Sequence, residues 1–86
     1  MHFQGAVVCE QGVTFAVVIV KAHVLNNWFD ADRMIADLQT VFPSMPVVLM
    51  TQDHQGVPTY YGRQDISHFL ASVPMECVPW REYRLG

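Results

Sequence analysis

The amino-acid sequence predicts a small mixed α/β (α+β) domain: a two-layer sandwich in the order β-β-α-β-β-α, with room for one more strand near the C-terminus. Three observations carry this. Val13–Val20 and Val47–Met50 are apolar on both of their alternating faces, as strands covered on both sides are. Between them the apolar spacing changes from two to about three and a half, the period of a helix. From Pro46 to Val73 the residues then read as strand, tight loop, second strand, glycine and helix.

Phe3–Cys9 is apolar and β-branched enough for a first strand. Glu10, Gln11 and Gly12 supply a short connection in which the glycine can take a positive φ, so the chain returns as a hairpin. The return strand sets Val13, Phe15, Val17 and Ile19 on one face and Thr14, Ala16, Val18 and Val20 on the other. After a polar turn, Asn26 or Asn27 can cap a helix by accepting a backbone N–H bond. In that helix Trp28, Ala31, Ile35, Leu38 and Phe42 fall on one stripe, with Asp30, Arg33 and Asp37 opposite. Pro43 ends it, because its ring does not fit the helical backbone. Val47–Met50 has the length of a strand. Gln52–Gly56 turns the chain, and Val57–Tyr61 returns with Pro58 inside it, which puts this strand at a sheet edge because proline donates nothing to a ladder. Gly62 opens a helix with Ile66, Phe69, Leu70 and Val73 at i, i+3, i+4 and i+7, and Pro74 closes it. Met75–Val78 has room for a short last strand. Residues 1–86 read as one domain, in which 79–86 is a candidate tail.

A crossover connection sets the two fully apolar strands side by side and parallel at the centre of a mixed sheet. The hairpins then supply the flanks, in the order N-terminal strand, Val13–Val20, Val47–Met50, Val57–Tyr61. A proline before a strand, a hairpin closed by Gly56, then Gly62 and a short helix resembles the C-terminal half of thioredoxin-like domains, over about a third of the chain. In that family a Cys-x-x-Cys pair follows the first core strand. Here the matching stretch, Lys21-Ala22-His23-Val24-Leu25-Asn26-Asn27-Trp28, holds no cysteine, so the resemblance implies the fold without thiol redox chemistry. A ferredoxin-like reading, β-α-β-β-α-β over Val13–Val78, ranks second, because its last strand competes with the N-terminal hairpin for the edge of Val13–Val20.

Composition bounds the role. A chain of 86 residues buries roughly 60–65% of its unfolded surface. It is 51% apolar and only 15% charged, against about 25% charged in ordinary domains. So few charges leave uncharged surface, and patches of that kind usually meet something. A four-strand sheet is about 19 Å wide and a helix about 10 Å, so two helices cover one face. The second face then carries as much apolar surface with no helix left for it. Hiding even about 500 Å² is worth on the order of 10 kcal/mol before ordering costs. Three covers are open: the tail around Trp80 and Tyr83, one of the two helices moved across, or another protein chain. The expected one is another chain, most simply a second copy in a symmetric dimer, with help from the tail, because one helix per face leaves both faces half bare.

The formal charge of −3, with only Lys21, Arg33, Arg63, Arg81 and Arg84 on the basic side, argues against a nucleic-acid footprint. The longest uninterrupted apolar run, Phe15–Val20, is far short of the roughly 20 residues that span a bilayer. Residues 1–12 have neither the basic start nor the apolar core of a signal peptide. The cytoplasm is therefore the expected setting, where Cys9 and Cys77 stay reduced.

No catalytic constellation, cofactor motif or metal-ligand spacing is readable: His2, His23, Cys9 and Cys77 stand singly. Cys9 and Cys77, in predicted strands, are expected to pack as small hydrophobes. Asp53-His54 places a carboxylate beside an imidazole, in a loop whose Asp and Gly are turn formers. Asp65 and His68, three apart, share the polar face of the last helix. The candidate ligand site is Tyr60, Tyr61, Gly62 and Arg63, where helix-start amides, a glycine, an arginine and two rings suit an anion or carboxylate. The packing alternative makes Gly62 a cap and sets Asp65 favourably against the helix dipole. The candidate interface is Trp80, Arg81 and Tyr83, residue types that anchor interfaces; a terminal segment can equally fold back as a lid or stay loose. The leading expectation is a protein-interaction module acting through self-association or a protein partner, with an anion- or small-ligand-binding domain as the alternative.

Overall fold

The strand order β4-β3-β2-β1-β5 places the two most apolar strands inside the sheet, as their two-sided hydrophobicity requires. The computed structural model describes residues 2–85. Strand β1 spans His2–Glu10 and β2 Val13–Ile19, paired antiparallel from Gly5↔Val18 to Glu10↔Val13. Gln11 and Gly12, both at positive φ, form the two-residue turn whose twist matches the strands on either side. After a 3-10 turn at Ala22–Asn26, helix α1 spans Trp28–Leu38, and the side chain of Asn27 caps it by accepting from the Phe29 N–H. Strand β3, Val47–Gln52, then lies parallel to β2. Strand β4, Pro58–Tyr61, returns antiparallel at the edge, followed by α2, Gln64–Ala71.

The β3–β4 loop shows why Asp53 stands there. Its Oδ1 accepts from the N–H groups of Gln55 and Val57, both at 2.9 Å, an Asx turn that needs no further role for the neighbouring exposed His54. Pro58 lies opposite Gln52 on the edge strand, as expected of a proline in a sheet.

The two helices lie on opposite faces of the sheet, each in contact with its own layer of strand side chains. Ala31 and Leu38 of α1 bury Phe3, Ala16, Val18, Val47 and Leu49. On the other face, Ile66 and Leu70 of α2 pack with Ala6, Phe15, Val17, Val48 and Met50, and Val78 and Trp80 extend the cover. The mixed α/β class and the order β-β-α-β-β-α are thus as the sequence predicts. The inference that both helices share one face, leaving the other for a partner, is overturned. Helical periodicity shows that one side of a helix is buried; it does not say against which face of the sheet.

Other expectations change in detail. Met75–Val78 is no strand: Met75–Cys77 forms a 3-10 turn. The fifth strand is β5, Arg81–Arg84, antiparallel to β1 through His2↔Arg84 and Gly5↔Arg81. Because β1 separates β5 from β2, the ferredoxin-like order is excluded. Helix α1 stops at Leu38; Phe42 reaches the core from the turn beyond it, where Gln39 Nε2 donates to the carbonyls of Phe42 and Met45. Trp28 leaves its expected core stripe and is 68% exposed. Cys9 and Cys77 are exposed rather than packed.

Candidate functional site

The Tyr60–Arg63 corner does not converge. Consecutive strand residues point to opposite faces, so Tyr60 packs with the α2 layer and Tyr61 with the α1 layer. Burial pushes the Tyr60 phenol up, and its hydroxyl lies 3.8 Å from Met75 Sδ. The Tyr61 hydroxyl instead donates to Asp32 Oδ1 at 2.8 Å. Gly62 is needed by packing: a Cβ there would sit 3.0 Å from Val48 Cγ2 and 3.3 Å from the Val47 carbonyl oxygen. Arg63 is the N-cap residue of α2, and its guanidinium makes a two-pronged bond to Asp65 at 3.0 and 2.6 Å. That hydrogen bond holds the Asp65 carboxyl below its ordinary range and the Arg63 guanidinium above its own. The chain thus supplies its own carboxylate to the arginine.

The tail residues divide as well. Tyr83 stacks on Phe3 with centroids 5.6 Å apart and meets Phe42 edge-on at 5.0 Å. Trp80 donates its indole N–H to the Met75 carbonyl at 3.0 Å. Both rings are half-buried within the chain, while Arg81 is exposed at the start of β5. Asp65 pairs with Arg63 and not with His68. Among the described residues no group of three or more His, Cys, Asp or Glu side chains comes together as metal ligands.

The sequence reading missed an aromatic pair. Trp28 and Phe29, in the first turn of α1, are 68% and 64% exposed. Their rings meet edge to face, 6.1 Å between centroids at 68°. Among the described residues every other Phe, Tyr and Trp ring is buried or half-buried. The signal was present as two adjacent aromatics following a cap residue: a helix of 3.6 residues per turn cannot bury both neighbours on one narrow stripe. Asp32 and Arg33 flank the pair, and the bond from Tyr61 to Asp32 fixes the turn beneath it to β4. On the opposite flank of α1 a cleft of about 530 Å³ is lined by Phe3, Ile19, Val20, Val24 and Met34, with His2, Lys21 and His23. His2 is already engaged there, its Nδ1 lying 3.3 Å from Glu82 Oε1.

Comparison with family models, with curated proteins and with solved structures finds no match in any of the three. Among the described residues no helix is long and apolar enough to cross a membrane.

Proposed function

We propose that this chain is a small protein-interaction module, working through a protein partner or a second copy of itself, with Trp28 and Phe29 as its anchor. The observation that carries the reading is the exposure of these two rings in a fold that shelters its other described Phe, Tyr and Trp rings. Large rings left in water raise the free energy of the isolated chain, and rings of this kind dominate the binding energy of interfaces they enter. The bare sheet face no longer supports a partner, because both faces are packed; the aromatic pair takes over that role.

The thioredoxin resemblance suits this reading as a non-redox scaffold. Trp28 ends the stretch in which that family carries its cysteine pair, so an aromatic binding surface replaces a thiol site. A cytoplasmic setting and a homodimer belong to the same proposal. An anion-binding role at Tyr60–Arg63 is not favoured, since Arg63 is already bonded to Asp65 and the two tyrosines face apart.

The test is site-specific photocrosslinking in the source cells, with a benzophenone amino acid at Phe29 and, as control, at exposed Gln52. A discrete adduct from position 29 that is absent from position 52 and lost in Trp28→Ala is the expected result. Truncating an anchor of this kind costs about 2 kcal/mol or more of binding. Identical adduct patterns from both positions would remove the anchor.

A further inference from the structure

The cleft on the flank of α1 opens where the chain leaves β2, at the carboxyl end of a strand that runs parallel to its neighbour β3. Open α/β sheets bind small molecules in crevices at such strand ends. The floor of the cleft belongs to the core, since Phe3 and Val24 are buried. Val20 and Met34 are half-buried and packed against that core. The β1–β2 register, Gly5↔Val18, runs on to set Phe3 beside Val20, so that sheet and helix supply one apolar surface. Its volume of about 530 Å³ falls within the roughly 300–1,000 Å³ of pockets that take small molecules.

The mouth of the cleft is cationic. Lys21 and His23 line it and are exposed, and neither side chain has an ion-pair partner among the described residues. No carboxylate is in the lining. Glu82, on β5, lies against His2 Nδ1 at 3.3 Å. Three other clefts differ in this respect, because Asp65, Glu10 or Asp32 stands in their walls. In a chain of formal charge −3 whose single lysine is Lys21, the cleft thus combines an apolar hollow with a local excess of positive charge.

We propose that this cleft binds a free small-molecule carboxylate with an apolar tail. The tail lies against Phe3, Val20, Val24 and Met34, and the carboxylate meets the Lys21 ammonium with the His23 imidazole beside it. A lysine suits this place, since its stem covers apolar surface while its charge stays at the water boundary, where an amphiphile carries its own. The bond made there is charge-assisted, and only an anion makes it. A bilayer surface is the poorer occupant, because Phe3 and Val24, at 7% and 9% exposure, lie too deep to insert into one. The site does not depend on the Trp28–Phe29 surface and takes a different class of ligand.

The test is a titration of the isotopically labelled full chain with octanoate, kept below its micelle concentration and followed by NMR. Binding should saturate with a Kd of about 1 mM or tighter, moving the methyl signals of Val20, Val24 and Met34 most and leaving those of Ile66 and Leu70 in place. Butanoate should bind more weakly, each methylene of a buried tail being worth up to about fourfold. Octan-1-ol and octylammonium, with the same tail and no negative charge, should each bind about threefold more weakly or worse. Lys21→Gln, at an exposed position, should weaken octanoate by about threefold or more and leave octan-1-ol unchanged. Gln64→Glu makes the same change of charge at the exposed start of α2 and should leave octanoate binding as it was. No saturation by monomeric octanoate, the largest shifts elsewhere in the chain, or an affinity that does not rise with tail length overturns the site. Octylammonium bound as tightly as octanoate, or equal losses in Lys21→Gln and Gln64→Glu, overturns the carboxylate as its ligand.

Discussion

The phenol of Tyr61 donates a 2.8 Å hydrogen bond to Asp32, joining edge strand β4 to the first turns of α1 across 29 residues of chain. That bond first, then desolvation and the Asp32 charge, raise the Tyr61 pKa above its ordinary value. A group whose folded pKa is raised contributes stability that is fully present below its unfolded pKa, about 10 for tyrosine, and lost as pH rises through the folded value. The wild-type chain should therefore lose stability as pH climbs above about 10. Tyr61→Phe, with no proton to release, should lose less over the same range. Tyr60 is also raised but is present in both proteins, so the difference isolates Tyr61. Urea midpoints collected at steps from neutral to strongly alkaline pH would show this, and parallel curves for the two proteins would mean the bond does not persist in solution.

Gly62, at φ +152, lies so close to β3 that an added Cβ would meet Val48 Cα at 3.2 Å as well as the Val48 side chain. Both the backbone conformation and the contact exclude a side chain, so Gly62→Ala should cost about 1–3 kcal/mol or somewhat more. Gly12, at φ +80 with open space around it, carries only the left-handed strain, and Gly12→Ala should cost about 1–2 kcal/mol. Denaturant midpoints of the two variants compare the effects directly. If Gly62→Ala proves the milder change, the approach of α2 to β3 is looser than the structure has it.

What the sequence disclosed was local. Val13–Val20 and Val47–Met50 showed themselves as central strands because, Thr14 apart, their side chains are apolar on both faces, as strands covered on both sides are. Pro58 marked an edge because it donates nothing to a ladder, and Asn26 or Asn27 marked a helix start because either amide can accept a first-turn N–H; the structure uses Asn27. The layer arrangement was hidden: Ile66 and Leu70 form an apolar stripe that fits either face, and only the path of the β3–β4 hairpin decides between them. Strand β5 was hidden too, since Arg81, Glu82 and Arg84 carry no apolar alternation; its place comes from Tyr83 packing on Phe3 and Phe42. Trp28 was misassigned because a helix's first turn can overhang the sheet it packs on while keeping the spacing of the buried stripe.

Trp28 and Tyr83 therefore make a contrasting pair for stability. Tyr83 closes an aromatic cluster with Phe3 and Phe42 and holds β5 to the sheet, so Tyr83→Ala should cost about 2 kcal/mol. Trp28, although larger, is 68% exposed, and its removal should change stability by less than about 0.5 kcal/mol. Thermal melts of the two variants beside wild type decide the matter. A large loss for Trp28→Ala would place its ring in the core that the sequence alone assigned to it.

Ser67 offers the opposite kind of test, a substitution expected to stabilise. Its hydroxyl is buried between α2 and the rest of the fold with no hydrogen-bond partner among the described residues, although its backbone N–H is bonded to the Arg63 carbonyl at 2.9 Å. An unpaired buried hydroxyl costs about 1–3 kcal/mol of desolvation, and alanine is the better helix former by a few tenths of a kcal/mol or more. Ser67→Ala should therefore raise stability by about 0.5–2 kcal/mol. Ser72 is the control, since its exposed hydroxyl donates to the Phe69 carbonyl at 2.8 Å. Ser72→Ala removes a made bond just beyond the helix end and should be neutral or slightly destabilising. A lower urea midpoint for Ser67→Ala would mean that the hydroxyl is satisfied in solution, with a trapped water as the natural partner.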